Sequence, residues 1–174
     1  TDTMLPETPV AADDGTAPYF LAINRNKSSR TIDLRTAEGC NLARAIAVDA
    51  GIVVENFRPG VMTRLGLGYD ELSSLRPDLI YCSISAFGSG IGADLPGYDL
   101  LLQAVGGLMS ITGDPAGEPQ KVGVAVVDVM AGLYAAIGVL AAVRHREQTG
   151  QGQRVDIDLP SVLVAGLGNQ GSAY

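Results

Sequence analysis

The chain has 174 residues, with 12 Lys plus Arg against 19 Asp plus Glu and a net charge of −7. That length suits one domain with a sizeable core, and that acidity argues against a surface built for nucleic acid. Hydrophobic residues make up 47% and charged residues 18%, a globular balance that excludes a disordered chain.

Residues 1–18, TDTMLPETPVAADDGTAP, are acidic and Pro-rich, with neither a basic n-region nor an apolar h-region. They read as a coil leading into a fold that occupies 19–174. Residues 29–34, SRTIDL, are strand-like, and 36–49 form an amphipathic helix with Leu42, Ile46 and Ala50 at helical spacing. The β-branched run 51–57, GIVVENF, is the kind buried in a parallel sheet. Pro59-Gly60 then breaks the chain before short helices over 61–65 and 69–75. Residues 79–87, LIYCSISAF, make the clearest strand, and helices are predicted over 98–110 and 128–146. Residues 122–127, VGVAVV, read as a short buried strand before the second of these, and 154–159, RVDIDL, alternate as a strand should. Strand and helix in this order predict an α/β fold whose mostly parallel sheet is covered by helices on both faces.

Several features carry candidate chemistry. Residues 122–143 hold a single charge and are long enough to span a membrane. An aspartate such as Asp128 costs about 2.5–3.5 kcal/mol near the centre of a membrane helix, so a soluble strand–helix unit and no membrane role are the expectation. Gly88-x-Gly90-x-Gly92 follows a strand, but it lacks the dinucleotide spacing G-x-G-x-x-G and no helix opens directly after it. A surface loop accounts for it. The two cysteines, Cys40 and Cys82, fit a reducing, cytoplasmic setting, and Cys82 reads as a small core residue. His145, the only histidine, leaves too few imidazoles for most zinc sites, so no metal is expected. It sits between two arginines at a helix end, with no catalytic role.

Asp128 stands apart as the lone carboxylate in a long apolar stretch. Two readings are open. It caps the following helix, accepting backbone N–H groups of the first turn. Alternatively it is a nucleophile, kept ionised in an apolar pocket by those same donors and by the helix dipole. Asn24, Arg25, Asn26, Lys27, Arg58 and Arg64 place cations and amides on loops or short helices beside strand ends, where anionic ligands bind in α/β sheets. Solvated surface charge explains them as well.

Six segments resemble the family III CoA-transferases, also called the CaiB/BaiF family, which includes formyl-CoA and carnitine CoA-transferases. They are NRNKSSRTIDLR (24–35), VENFRPGVMTRLGLGYDEL (54–72), PDLIYCSISAFG (77–88), PGYDLLLQAVGGLMSITGDP (96–115), VGVAVVDVMAGLYAAIGVLAA (122–142) and TGQGQRVDIDL (149–159). ENFRPG followed by LGLGY is the most specific of these.

The resemblance implies the central part of a Rossmann-like large domain, in a family of interlinked homodimers. It also implies a covalent mechanism in which the aspartate matching Asp128 forms a mixed anhydride and then an aspartyl-CoA thioester. Asn24, Arg25, Asn26, Lys27, Asn56, Phe57, Arg58 and Arg64 match positions lining the CoA site, and Tyr98 and Asp99 match positions beside the reacting acyl group. The racemase branch, acting on 2-methylacyl-CoA, usually carries His at the Tyr98 position. A phenol is a poor base at neutral pH, which favours CoA transfer between an acyl-CoA and a small carboxylic acid. The family's opening segment, its glycine-rich loop and its small domain have no counterpart here, so an inactive CoA-binding fragment is the remaining alternative.

Overall fold

The computed structural model describes residues 16–173, and the chain divides into two units, Thr1–Ile32 and Asp33–Tyr174. Most of the expected leading coil, residues 1–15, lies outside the described residues. In the first unit Pro18 opens a short helix, α1 (Pro18–Ile23), with the proline at a position whose N–H no helix needs. Residues 29–32 form no strand. Ladder donors and acceptors require a neighbouring strand, and none of the described strands pairs with this segment.

The second unit holds a three-stranded parallel sheet in the order β1 (Ile52–Glu55), β2 (Ile80–Ser85), β3 (Gln153–Asp158). The helix α2 (Ala37–Ala50) precedes β1. Thr36 caps it by accepting from the Gly39 N–H, and Gly51, at φ 72°, ends it in the left-handed region. Between β1 and β2 lie α3 (Val61–Arg64) and α4 (Tyr69–Leu75). Between β2 and β3 lie α5 (Asp99–Val105), a 3-10 turn at Leu108–Ile111, and the long α6 (Val126–Thr149). After β3 the chain forms α7 (Leu159–Leu167) and α8 (Asn169–Ser172).

Strand alternation distributes the core to both faces. Tyr81 and its register neighbour Val53 meet Leu72 and Tyr69 of α4 and Ala47 and Val48 of α2. On the other face, Ile84 and its neighbour Ile157 pack against Val127 and Ala131 of α6 and Leu163 of α7. Cys82 is fully buried in β2, as expected of a core residue. Leu72, Leu79, Ile80 and Leu102 are also wholly buried, each worth roughly 1.5–3 kcal/mol of transfer free energy.

Three expected elements differ. The predicted strand over 122–127 is absent: α6 begins at Val126, and the preceding residues form a loop. The predicted helix over 98–110 stops at Val105, because Gly107 adopts φ 84° and the chain restarts as a 3-10 turn. The residues 29–34 expected as a strand carry no ladder.

α6 has two unlike sides. Ala131, Ala135 and Ala142 are buried, and Gly138 comes so close to β3 that a Cβ there would sit 2.7 Å from Val155 Cγ1. Small residues let the helix lie close on the sheet. The opposite side carries Val129, Leu133, Ile137 and Leu140, between 58% and 68% exposed and spaced about one turn apart. The helix is long and apolar enough to cross a membrane by length and composition alone, yet its small side is already buried in the domain.

The exposed stripe makes a direct prediction. The 174-residue chain expressed alone is expected to bind a hydrophobic dye and to melt broadly at low temperature. Ile137→Lys with Leu140→Lys should cut the dye signal severalfold. A sharp, dye-free transition of the unmodified chain would show that the stripe is covered within it.

Candidate active site

The site is built where α5 and α6 begin. α6 has no cap of its own, since its N-cap residue, Ala125, has no side-chain acceptor. The free donors of the first turn are met from α5 instead. Asp99 Oδ1 accepts from Val127 N at 2.7 Å and from Asp128 N at 3.2 Å. Its other oxygen accepts from Gln103 Nε2 at 2.5 Å.

Gln103 is wholly buried one turn further along α5. Its amide also accepts from Val122 N at 2.8 Å and donates to the Val124 carbonyl at 3.3 Å. The loop before α6 therefore receives from one side chain the donor and acceptor that a neighbouring strand would have supplied.

Asp128 lies in the first turn of α6, three residues past the N-cap, so it does not cap the helix. Its side chain opens to solvent on one side. Partial burial against its neighbours, and secondarily the Asp99 charge, raise its pKa above the ordinary carboxylate range. This corrects the expectation of a carboxylate held ionised by backbone donors. Asp99 takes those donors, and among the described residues none donates to the Asp128 oxygens.

The other predicted residues are more dispersed. Tyr98 is the N-cap residue of α5 and is 74% exposed. Asn56, Phe57 and Arg58 follow β1 on an exposed loop, where Phe57 N donates to Glu55 Oε2 at 2.8 Å. Arg64 ends α3 and is exposed.

Arg58 lines a cleft of about 590 Å³ with Gly60, Ser83, Ser85, Arg154 and Asp158. The cleft lies at the carboxyl ends of the parallel strands, the usual ligand position in such sheets. Asn24, Arg25, Asn26 and Lys27 belong to the first unit, where Arg25 and Asn26 line an open hollow with Ala22 and Ile23. Gly88 and Ser89 border the cleft as part of a loop.

Sequence reasoning missed Gln103. The available signal was a lone amide among apolar residues in LLLQAV, at a helical position that faces inward.

A family model described as CoA-transferase family III matches residues 3–174. The chain is 45% identical over 159 residues to a succinate–glutarate CoA-transferase of Agrobacterium fabrum, covering 91% of this chain and 40% of that protein. It is 36% identical over 179 residues to the human succinyl-CoA:glutarate CoA-transferase, covering 97% of this chain and 41% of that protein. Among solved structures, a CaiB/BaiF family protein from Brucella suis superposes with a TM-score of 0.90 at 42% identity. That match covers 99% of this chain and 47% of the other. The chain thus spans about 40% of the length of the curated relatives it matches.

The raised pKa of Asp128 predicts the sign of a stability effect. A carboxyl whose folded pKa lies above its unfolded value stabilises the fold least when ionised, above the folded pKa. In the whole protein, Asp128→Asn should therefore melt at or slightly above the unsubstituted protein near pH 7, by about 1–3 °C. The gap should close as the pH falls through the Asp128 pKa toward the unfolded carboxyl value. Melting curves across that range check it, and a variant less stable at pH 7 than at pH 4, relative to the unsubstituted protein, would reverse the sign.

Proposed function

This chain belongs to CoA-transferase family III, and on that premise we propose that the whole protein moves CoA from an acyl-CoA to a small carboxylic acid through Asp128. The observation that carries the reading is the Asp128 carboxylate. It stands at the start of α6, open on one side, with no donor on its oxygens among the described residues and with its basicity raised.

The chemistry follows from what an acid needs in order to take a thiol. An Asp128 oxygen attacks the thioester carbonyl of the donor, the C–S bond breaks, and CoA leaves as the thiolate. The product is a mixed anhydride. The thiolate then attacks the Asp128 carbonyl carbon and expels the donor acid as its carboxylate, leaving an aspartyl-CoA thioester. An acceptor carboxylate attacks that carbon, releasing thiolate again and forming a second anhydride. The thiolate finally attacks the acceptor's carbonyl, and Asp128 departs as a carboxylate. Nothing is oxidised or reduced, and each bond broken is replaced by one of similar energy.

The remaining residues matched by the family resemblance are given cofactor roles in this reading. Arg58, in the cleft at the carboxyl ends of the strands, and Arg64 suit the phosphates of CoA. For Asn24, Arg25, Asn26 and Lys27, in the first unit, a CoA-binding role is proposed from the family match alone. Asn56 is given the same role, and Phe57, 47% exposed, suits packing on an apolar part of the ligand. Tyr98 stands beside the acyl group, while Asp99 acts through the first turn of α6. Relatives named for succinyl-CoA, glutarate and mesaconate point to small dicarboxylates as donor and acceptor acids. An interlinked homodimer and a cytoplasmic location belong to the same reading. The exposed side of α6 fits a surface that the whole protein covers, and the free Cys40 and Cys82 fit a reducing compartment.

Two experiments on the whole protein test the proposal. Mixing with succinyl-CoA and quenching with hydroxylamine should leave a hydroxamate on Asp128, visible by peptide mass. Asp128→Ala should abolish the label and lower turnover on the order of 10⁴-fold or more. A variant with normal turnover would remove the nucleophile assignment. Separately, Arg64→Ala and Lys27→Ala should weaken CoA binding roughly 10–100-fold by calorimetry, about 1.5–3 kcal/mol for a charged hydrogen bond. Unchanged binding in both returns these residues to solvated surface.

A further inference from the structure

We propose that Gln103 is a positioning residue for Asp128, holding the Asp99 carboxylate and the loop before α6 in the one arrangement that seats Asp128 at the start of its helix. The proposal rests on the reading of Asp128 as the nucleophile. It adds a residue that neither touches a substrate nor belongs to the site expected from the sequence.

The geometry leaves the amide a single orientation. Gln103 Oε1 is occupied by Val122 N–H at 2.8 Å, so Nε2 must face Asp99 Oδ2 and the Val124 carbonyl. A flipped amide would set its NH₂ against the Val122 N–H and its oxygen against a carboxylate. The amide in turn leaves Asp99 one orientation. With Oδ2 held by Gln103, Oδ1 is the oxygen that meets Val127 N and Asp128 N.

Burial gives this chain of bonds its weight. Gln103 is wholly buried, so a broken bond finds no water to replace it. One side chain thus ties together the helix that bears Asp99, the strandless loop at 122–124, and the turn that bears Asp128.

The charges near Asp128 are few. Asp99, on α5, is the ionisable group whose field acts on Asp128. α7 carries no titratable residue. Tyr81 and Cys82 of β2 and Arg154, Asp156 and Asp158 of β3 are not among the charges that shift it. Releasing Asp99 therefore acts on both the position and the basicity of Asp128. A purely structural glutamine would act on neither.

The test uses the whole protein with Gln103→Leu, and with Gln103→Met, which keeps the unbranched shape and tolerates packing better. The readouts are thermal melting, CoA transfer from succinyl-CoA against pH, and the rate of hydroxamate formation on Asp128. In a folded variant, kcat is expected to fall roughly 10–100-fold while KM for succinyl-CoA stays within about threefold. The acid limb of the pH profile should move to lower pH, because the Asp99 carboxylate no longer sits against the first turn of α6.

Wild-type kcat and pH profile in a folded variant would overturn the proposal. A lowered melting temperature with an unmoved acid limb and an unchanged rate of hydroxamate formation would overturn it too, leaving Gln103 a packing residue. Asp128→Ala is run alongside. If that variant retains turnover, the nucleophile reading fails first and the proposal fails with it. If it is dead while the Gln103 variants are normal, only the positioning role is lost.

Discussion

The first turn of a helix leaves backbone donors that its own ladder cannot use, and in α6 these donors organise the site. A side chain at Ala125 could not accept them, so the acceptor comes from another element, the Asp99 carboxylate 28 residues before Val127. A local cap would have fixed only the helix end. A distant one also fixes the separation and orientation of α5 and α6. The loop between them is stitched to the same helix by Gln103, so the start of α6 is held from both flanks.

That fixed point matters because the rest of α6 is committed to the sheet. Ala131, Ala135, Gly138 and Ala142 bring it close to β2 and β3, and a larger residue at Gly138 would drive into Val155. At the far end Arg146 donates to the carbonyls of Gly51 and Asp78, at the entries to β1 and β2. Arg76 completes that edge through the carbonyls of Val48 and Asp49 and its pair with Asp78. A helix fastened along its length and at both ends presents its first turn at a defined height over the sheet. The nucleophile role proposed for Asp128 requires such placement, because a reacting group must meet its carbonyl carbon within a fraction of an ångström.

Elements governed by their own residues were legible in the sequence. The β-branched runs became β1, β2 and β3, the α4 bounds Tyr69–Leu75 matched, and a parallel sheet covered on both faces followed from the order of elements. The failures share a cause. Residues 29–34 have strand composition but pair with none of the described strands, and 122–127 have β-branched composition but a glutamine side chain in place of a ladder. In each case the partner, not the segment, decides. Asp128 stood out as a lone charge in an apolar run. The division of labour between it and Asp99 did not, because hydrogen bonds across 28 and 29 residues leave no periodic trace. The break at Gly106-Gly107 was readable from the glycine pair and was missed in favour of an unbroken helix.

That division of labour removes the capping reading of Asp128, which is chemically opposed to the nucleophile reading proposed above. A carboxylate that caps a helix spends its lone pairs on N–H donors, and donors on the charged form lower its pKa. Both effects weaken it as a nucleophile. By placing the cap on Asp99, the fold leaves the Asp128 oxygens without a donor among the described residues, and partial burial first, then the like charge of Asp99, raises their basicity. The helix dipole still favours negative charge at that position, so the group can remain a carboxylate while its electron pairs stay available. Two aspartates at one helix start thus do different work, one neutralising the backbone so that the other need not. Gln103 occupies the remaining oxygen of the first, so both Asp99 oxygens are engaged while those of Asp128 have no donor among the described residues.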